Sequence, residues 1–269
     1  MQYFNFIFRT KKYDLVFDCE PYLNLSAVLG FLKGKYKVGF SNQWRSRLYN
    51  KAVKFDKKQH MVQNYLDMLR ALGFKYNTNE LERLDVKKET RNKIKKYLKK
   101  NKLSGLVIGI TPGVAESAKS RAWFSNRFAK LADKLILELK AKIIFIDSKK
   151  NKKVVHKIVS LMDEKAVNAS GLFNLEETFY LIEKCKVFIS NDTGPMHIAA
   201  AQGCRTIGLF GPNTPVLWGP YGKKNKAIYK TKLRPSIQND KGIFPDKNRK
   251  EYMGSIDVDD VFKEVKKLV

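Results

Sequence analysis

The chain is short of several residue types, and each shortage excludes something. Only three cysteines, Cys19, Cys185 and Cys204, occur among 269 residues. They lie far apart and none has a metal-ligand spacing. The odd count argues against a disulfide scaffold, so a reducing, cytoplasmic setting is expected. Cys185 and Cys204 read as small core residues. Acidic residues number 26 against 53 basic ones, which leaves a net charge of +27. No run of 18 apolar residues exists, so no helix is expected to span a membrane. The first eight residues are too short, with the wrong flanks, for a signal peptide. Internal repeats and low-complexity tracts are missing too.

The apolar share of 43% supports a real core. The length suits one large or two ordinary domains. The basic excess favours anionic partners. It is spread along the chain, and only residues 93–102 form a dense block, which reads as a helix over 91–100 with a solvated face leading to a linker. No interleaving of aromatic and basic residues is visible, so nucleic acid is not the expected partner. A phosphorylated, anionic glycolipid at a membrane surface fits the charge.

Periodicity then divides the chain. Residues 13–18 and 36–40 read as strands, and 23–32 and 59–72 as helices, with Gly73 placed to stop the second. Residues 75–104 are polar and Lys-rich and look like a crossing between domains. Beyond them strands are expected at 106–110, 143–146, 187–190 and 206–210. Helices are expected over 128–139, 154–162, 175–185 and 258–268. This alternation predicts a parallel α/β sheet. The expected division is a partial N-terminal domain (1–90), a basic linker (91–104) and a complete Rossmann-like domain (105–269). His60 and His156 lie on amphipathic helices and read as structural or exposed.

The most informative stretch is Asn191-Asp192-Thr193-Gly194-Pro195-Met196-His197. It follows the apolar run at 187–190 and precedes a small-residue helix that Gly203 closes. This is a strand, a tight turn and a helix start. Gly194 is expected to permit a turn that a side chain would block, and Pro195 suits the first helical position. Free N–H groups and the helix dipole at that mouth attract a phosphate. In open parallel sheets ligands bind at the carboxyl ends of the strands. An ordinary well-capped turn is the other reading. Asp257-Val258-Asp259 spells a metal-binding Asp-x-Asp, but it opens a helix, where acids cap and offset the dipole.

The long run from Asp192 to His197, then Ala199 to Ala201, Gly203, Phe210-Gly211-Pro212, Thr214-Pro215 and Trp218-Gly219-Pro220, resembles the lipopolysaccharide heptosyltransferases. These are inverting glycosyltransferases with the two-domain GT-B fold. Weaker matches lie at Thr111-Pro112-Gly113, Arg121-Ala122-Trp123, Asn168 to Gly171, and in the N-terminal segments at 12–18, 38–40 and 60–66. The resemblance implies two Rossmann-like domains with parallel sheets, the N-terminal one incomplete. It implies an ADP-heptose or related ADP-sugar donor, a lipopolysaccharide-core or similar glycan acceptor, and a cytoplasmic enzyme peripheral to the inner membrane. No cofactor and no metal ion are expected.

The same resemblance assigns donor binding to Thr111, Gly113, Lys119, Arg121, Asp192, Thr193, Gly194, Pro195, Met196 and His197. Lys119 and Arg121 otherwise read as solvated loop cations, and His197 as a structural hydrogen-bonder. Trp123 is expected to pack under its loop. Three departures stand out. Family members begin with a Gly-rich loop ending in Gly-Asp, whose Asp is the proposed base. No Gly-Asp pair occurs before residue 100, and the chain starts, by resemblance, several dozen residues later. Asp18 is then the one conceivable substitute. The loop after 143–146 reads Asp147-Ser148-Lys149-Lys150, where the family has glycines and an acid for the ribose. Residues 234–238 lack the family's cysteine-rich stretch. A relative that binds nucleotide-sugar without catalysis is therefore the alternative reading.

Overall fold

A computed structural model describes residues 11–41, 44–232 and 249–269. The departure at 234–238 lies outside the described residues. The described chain divides into two units, one ending at Thr78 and the other beginning at Asn79.

The first unit is a small parallel sheet. Strands β1 (Tyr13–Asp18), β2 (Gly34–Phe40) and β3 (Lys51–Val53) run in that order. Helix α1 (Asn24–Lys33) connects the first two, and α2 (Met61–Arg70) follows the third. Ala27, Val38, Phe40, Val53, Met61 and Met68 are its buried apolar residues. Strand β3 has only three residues, too few to show a period in the sequence. His60 caps α2, its Nδ1 accepting from the Val62 N–H at 3.1 Å, so its role is structural.

The second unit carries the larger sheet. Its strands are β4 (Val107–Thr111), β5 (Lys142–Phe145), β6 (Val167–Asn168), β7 (Val187–Asn191), β8 (Arg205–Phe210) and β9 (Lys226–Tyr229). All pair in parallel, in the order β6-β5-β4-β7-β8-β9. Both faces of the central strands are buried, which is why they read as continuous apolar runs. Ile108, Ile110 and Ile189 point to one layer, with α4 (Ser125–Leu139) and the last helix, Val258–Leu268. Val107, Ile144 and Phe188 point to the other, with α3 (Lys88–Lys100) and α6 (Leu175–Glu183). Helix α5 (Lys152–Val159) follows β5, and α7 (Gly194–Ala201) joins β7 to β8. The chain order reverses direction between β4 and β7, which is where such sheets open a crevice for ligands.

The domain limits read from composition shift. The expected basic linker at 91–104 is mostly α3, and it belongs to the second unit. Ile94 and Leu103 are buried against α6, and Tyr97 packs edge-on to Phe173 with ring centroids 4.8 Å apart. Upstream, Gln202 exchanges two hydrogen bonds with the Leu84 backbone, at 2.9 and 3.2 Å. The helix itself is expected from the sequence, but its packing on the second unit is not, because its inward stripe is narrow, one buried isoleucine flanked by half-buried Tyr97 and Leu98.

Ile94→Ala is expected to cost roughly 2–5 kcal/mol by cavity formation. Lys95→Ala, on the exposed face, is expected to stay within about 0.5 kcal/mol of wild type. Denaturant unfolding followed by tryptophan fluorescence measures both, and equal, negligible effects would mean that the helix is only a tether.

Candidate functional site

Asn191 ends β7 with a fully buried side chain. Its Oδ1 accepts from the Trp123 N–H at 3.0 Å, and its Nδ2 donates to the Pro112 carbonyl at 2.7 Å. One amide thus ties the end of β7 to the loop after β4 and to the segment entering α4. The Arg249 guanidinium holds the same segment by donating to the carbonyls of Ala122 (2.6 Å) and Trp123 (2.8 Å). Trp123 is buried as expected, its indole N–H donating to the Ile256 carbonyl at 3.0 Å and its ring edge-on to Phe128.

Arg121 is fixed just before this knot. Its Nη1 lies 3.4 Å from Oδ2 of Asp192, which is only 4% exposed and also accepts from the Asn213 amide. Burial pushes the Asp192 carboxyl above its ordinary range, and Arg121 and Asn213 pull it back. An ion pair in this setting orients the guanidinium as much as it neutralises it.

A second carboxylate fastens the floor. Asp147 follows β5 and accepts from the N–H groups of Gly113 (2.7 Å) and Ser148 (2.7 Å) and from the Asn151 amide (2.8 Å). Burial raises its pKa against those three bonds. Gly113 is required here, since a Cβ would lie 2.1 Å from Asn151 Nδ2. Asp147 therefore holds the loops after β4 and β5 together, with Oδ2 accepting from only one of the three donors. The Thr111 hydroxyl donates to the Ile146 carbonyl at 2.5 Å.

These loops enclose a cavity of about 510 Å³ at the carboxyl ends of β4, β5 and β7. Thr111, Gly113, Arg121, Asp192, Thr193, Gly194 and Pro195 line it, together with Asp147, Ser148, Lys150 and Asn151. That volume is in the range of small-ligand sites. The start of α7 faces it. Thr193 is the N-cap and Gly194 the first helical residue, so Pro195 takes the second position rather than the first. Gly194 does not serve the turn, as the sequence suggested. It is not among the positive-φ glycines, and a Cβ on it would touch nothing within 4 Å. What its missing side chain leaves is open space above the helix N-terminus, where an anion is favoured.

Three of the expected donor residues stand outside the cavity lining. Met196 is fully buried, its Sδ 2.5 Å from where a Cβ on Gly208 would lie, so it seats α7 on β8 and is a core residue. Lys119 pairs with Glu116 and borders a neighbouring cavity of about 240 Å³. His197 sits one residue past Met196 and is half-buried, and burial lowers its pKa below 6.5. In the first unit Asp18 is 6% exposed and accepts from Tyr49 Oη (2.6 Å), Ser26 Oγ (3.1 Å) and the Glu20 N–H (3.1 Å). It anchors that unit's loops, which argues against its reading as a general base.

A sequence profile described as "Glycosyltransferase family 9 (heptosyltransferase)" matches residues 7–243. The chain belongs to glycosyltransferase family 9. Among the heptosyltransferases it resembles is lipooligosaccharide heptosyltransferase 2 of Haemophilus influenzae, 30% identical over 81% of this chain and 66% of that protein. Another is lipooligosaccharide heptosyltransferase 2 of Campylobacter jejuni, 27% identical over 96% of this chain and 76% of that one. The chain therefore spans about two thirds to three quarters of their length. Among solved structures, a family 9 glycosyltransferase from Veillonella parvula superposes with a TM-score of 0.77 at 24% identity, covering 96% of this chain and 74% of that one. The E. coli heptosyltransferase WaaC with ADP gives 0.67 at 18% identity, with 96% and 74% covered. The fold is that of the heptosyltransferases, GT-B-like with parallel sheets.

In this family 9 chain the Asp-x-Asp run at 257–259 is occupied as helix chemistry predicts. The Asp257 N–H donates to Asp260 Oδ2 at 2.8 Å, Asp257 pairs with Arg127 at 3.5 Å, and Asp259 pairs with Lys134 at 2.6 Å. Cys185 and Cys204 are buried thiols, the latter pushed by burial up to about 12. Sequence reasoning missed Asn191, Asn213, Asp147 and Asn151 as builders of the site. The one available signal was polar residues ending apolar strands, where a buried amide needs partners.

Asn191→Leu is expected to strand the Trp123 N–H and the Pro112 carbonyl, at roughly 1–3 kcal/mol each. Denaturant unfolding measures the loss, and an unchanged midpoint would remove Asn191 from its central place. For His197, a folded pKa below the unfolded 6.5 means the unfolded state binds more protons between the two values. Its contribution to stability is full above 6.5 and is lost as pH falls through the folded pKa. An NMR titration should place the His197 midpoint below 6.5, and a midpoint above it would contradict the direction that its partial burial imposes.

Proposed function

We propose that the second unit binds an ADP-sugar, with heptose or a related sugar, and that the protein transfers it to a lipopolysaccharide-core or similar glycan, inverting and without a metal ion. The observation that carries this reading is the cavity where Arg121, oriented by Asp192, meets the bare N-terminus of α7. In such a transfer an acceptor hydroxyl attacks the sugar's anomeric carbon, the bond to the diphosphate breaks, and ADP leaves with the electron pair. Charge builds on the diphosphate oxygens, and preorganised cations and N–H donors stabilise it. Arg121 is suited to this because a guanidinium meets two phosphate oxygens at once. Solved structures of E. coli WaaC with ADP and with ADP-2-deoxy-2-fluoro heptose share the fold and support this choice of nucleotide. The acceptor is an anionic glycolipid, reached at the cytoplasmic face of the inner membrane.

A second reading is binding without turnover. Transfer needs a positioned base, worth about 10²- to 10⁴-fold. The engagement of Asp18 by three donors favours this reading for the described residues of the first unit.

Calorimetry with ADP tests the donor site. Wild-type protein is expected to bind, and Arg121→Ala to weaken binding about tenfold or more, with Arg121→Lys between them. Asp192→Ala should also weaken it, by releasing the guanidinium. Wild-type affinity in Arg121→Ala and Asp192→Ala together would refute the assignment. Adding ADP-heptose and a deacylated core acceptor and following ADP release separates transfer from binding alone.

A further inference from the structure

Helix α3 with its C-terminal extension, residues 88–102, holds seven lysines and Arg91 against a single acid, Glu89. The inward side is settled. Ile94 is buried, Tyr97 packs on Phe173, Lys93 pairs with Glu177 at 2.5 Å, and Arg91 lies over Tyr180 and donates to the Val86 carbonyl. The outward side holds Lys88, Lys95, Lys96, Lys99, Lys100 and Lys102, all exposed. Among the described residues none of these six forms an ion pair. The acids of the helix packed beneath are used elsewhere. Glu176 accepts from the Lys87 N–H at 2.7 Å, Glu177 takes Lys93, and Glu183 takes Lys184 at 2.8 Å. Lysines at i,i+3 and i,i+4, such as Lys95, Lys96, Lys99 and Lys100, repel one another along this face. The helix therefore presents a rigid cationic stripe roughly 20 Å long, by the helical rise, with no neutralising partner of its own.

We infer that this lysine face of α3 is the surface by which the protein docks on an anionic lipid bilayer. The choice of a bilayer rests on the proposed glycolipid acceptor, and the surface lies apart from the cavity residues. A polybasic helix face suits an anionic membrane surface, with each lysine near it contributing about fivefold in affinity. Single-stranded nucleic acid fits less well. Such sites stack bases on aromatic side chains. Tyr97, the one aromatic of the helix, is turned inward onto Phe173.

Co-sedimentation with phosphatidylethanolamine vesicles containing phosphatidylglycerol, against phosphatidylcholine vesicles, tests the surface. The variant Lys95→Gln, Lys96→Gln, Lys99→Gln, Lys100→Gln is expected to lose at least about tenfold in affinity for the anionic vesicles. A control with the same charge change, Lys130→Gln, Lys153→Gln, Lys157→Gln, Lys224→Gln, is expected to keep most of it. Both variants should bind ADP as wild type does. If the first loses its melting transition, the pair Lys95→Gln, Lys99→Gln replaces it, with a loss of several-fold expected. No binding of the wild type to anionic vesicles, equal losses in the two variants, or tighter α3-dependent binding to RNA than to vesicles would each overturn the inference. Retained ADP binding in those cases would leave the proposed donor site standing.

Discussion

The candidate site depends on the two hydrogen bonds of one buried amide. A parallel sheet delivers its strand ends to a common edge, but it does not determine how the loops beyond them sit. Asn191 does so by accepting from Trp123 and donating to Pro112, which binds three separate chain segments at the switch point between β4 and β7. Both of its polar groups are satisfied in a fully buried setting, where a missing partner is most costly. Arg121 precedes Trp123 by two residues, so the position of its guanidinium follows from this knot.

The two carboxylates of the site illustrate how environment divides one chemistry into two tasks. Both are buried and both have raised pKa values. Asp147 meets two backbone N–H groups and an amide, all in loops, and serves to hold those loops together. Asp192 meets a guanidinium and an amide, and its charge orients the Arg121 guanidinium beside the cavity. Leaving Gly194 without a side chain keeps that space clear above α7.

Much of this architecture was legible in the residues, because long buried strands and amphipathic helices carry their period openly. The parallel sheet and the strand expected at 187–190 lie where the pattern put them, with α7 beginning one residue before its expected start. Strands β3, β6 and β9 were not legible, since two to four residues show no period and edge positions relax the demand for apolar side chains. Helix α3 is legible as a helix, but not as part of the second unit, because its buried stripe is so thin. Of the residues the resemblance assigned, Arg121 and Asp192 line the cavity whereas Met196, Lys119 and His197 do not, since sequence proximity does not say which side of a helix or loop a side chain takes. The role of Asn191 was invisible because both its partners are backbone groups, at positions 112 and 123, remote in sequence.

The measurement that bears most directly on this account is a crystal structure of the protein with ADP. The account predicts diphosphate oxygens within hydrogen-bonding distance of the Arg121 guanidinium and of the backbone N–H groups at the start of α7, with the Asn191 bridge intact. A diphosphate bound away from Arg121, or an Asn191 amide released from Trp123 and Pro112 in the complex, would contradict it.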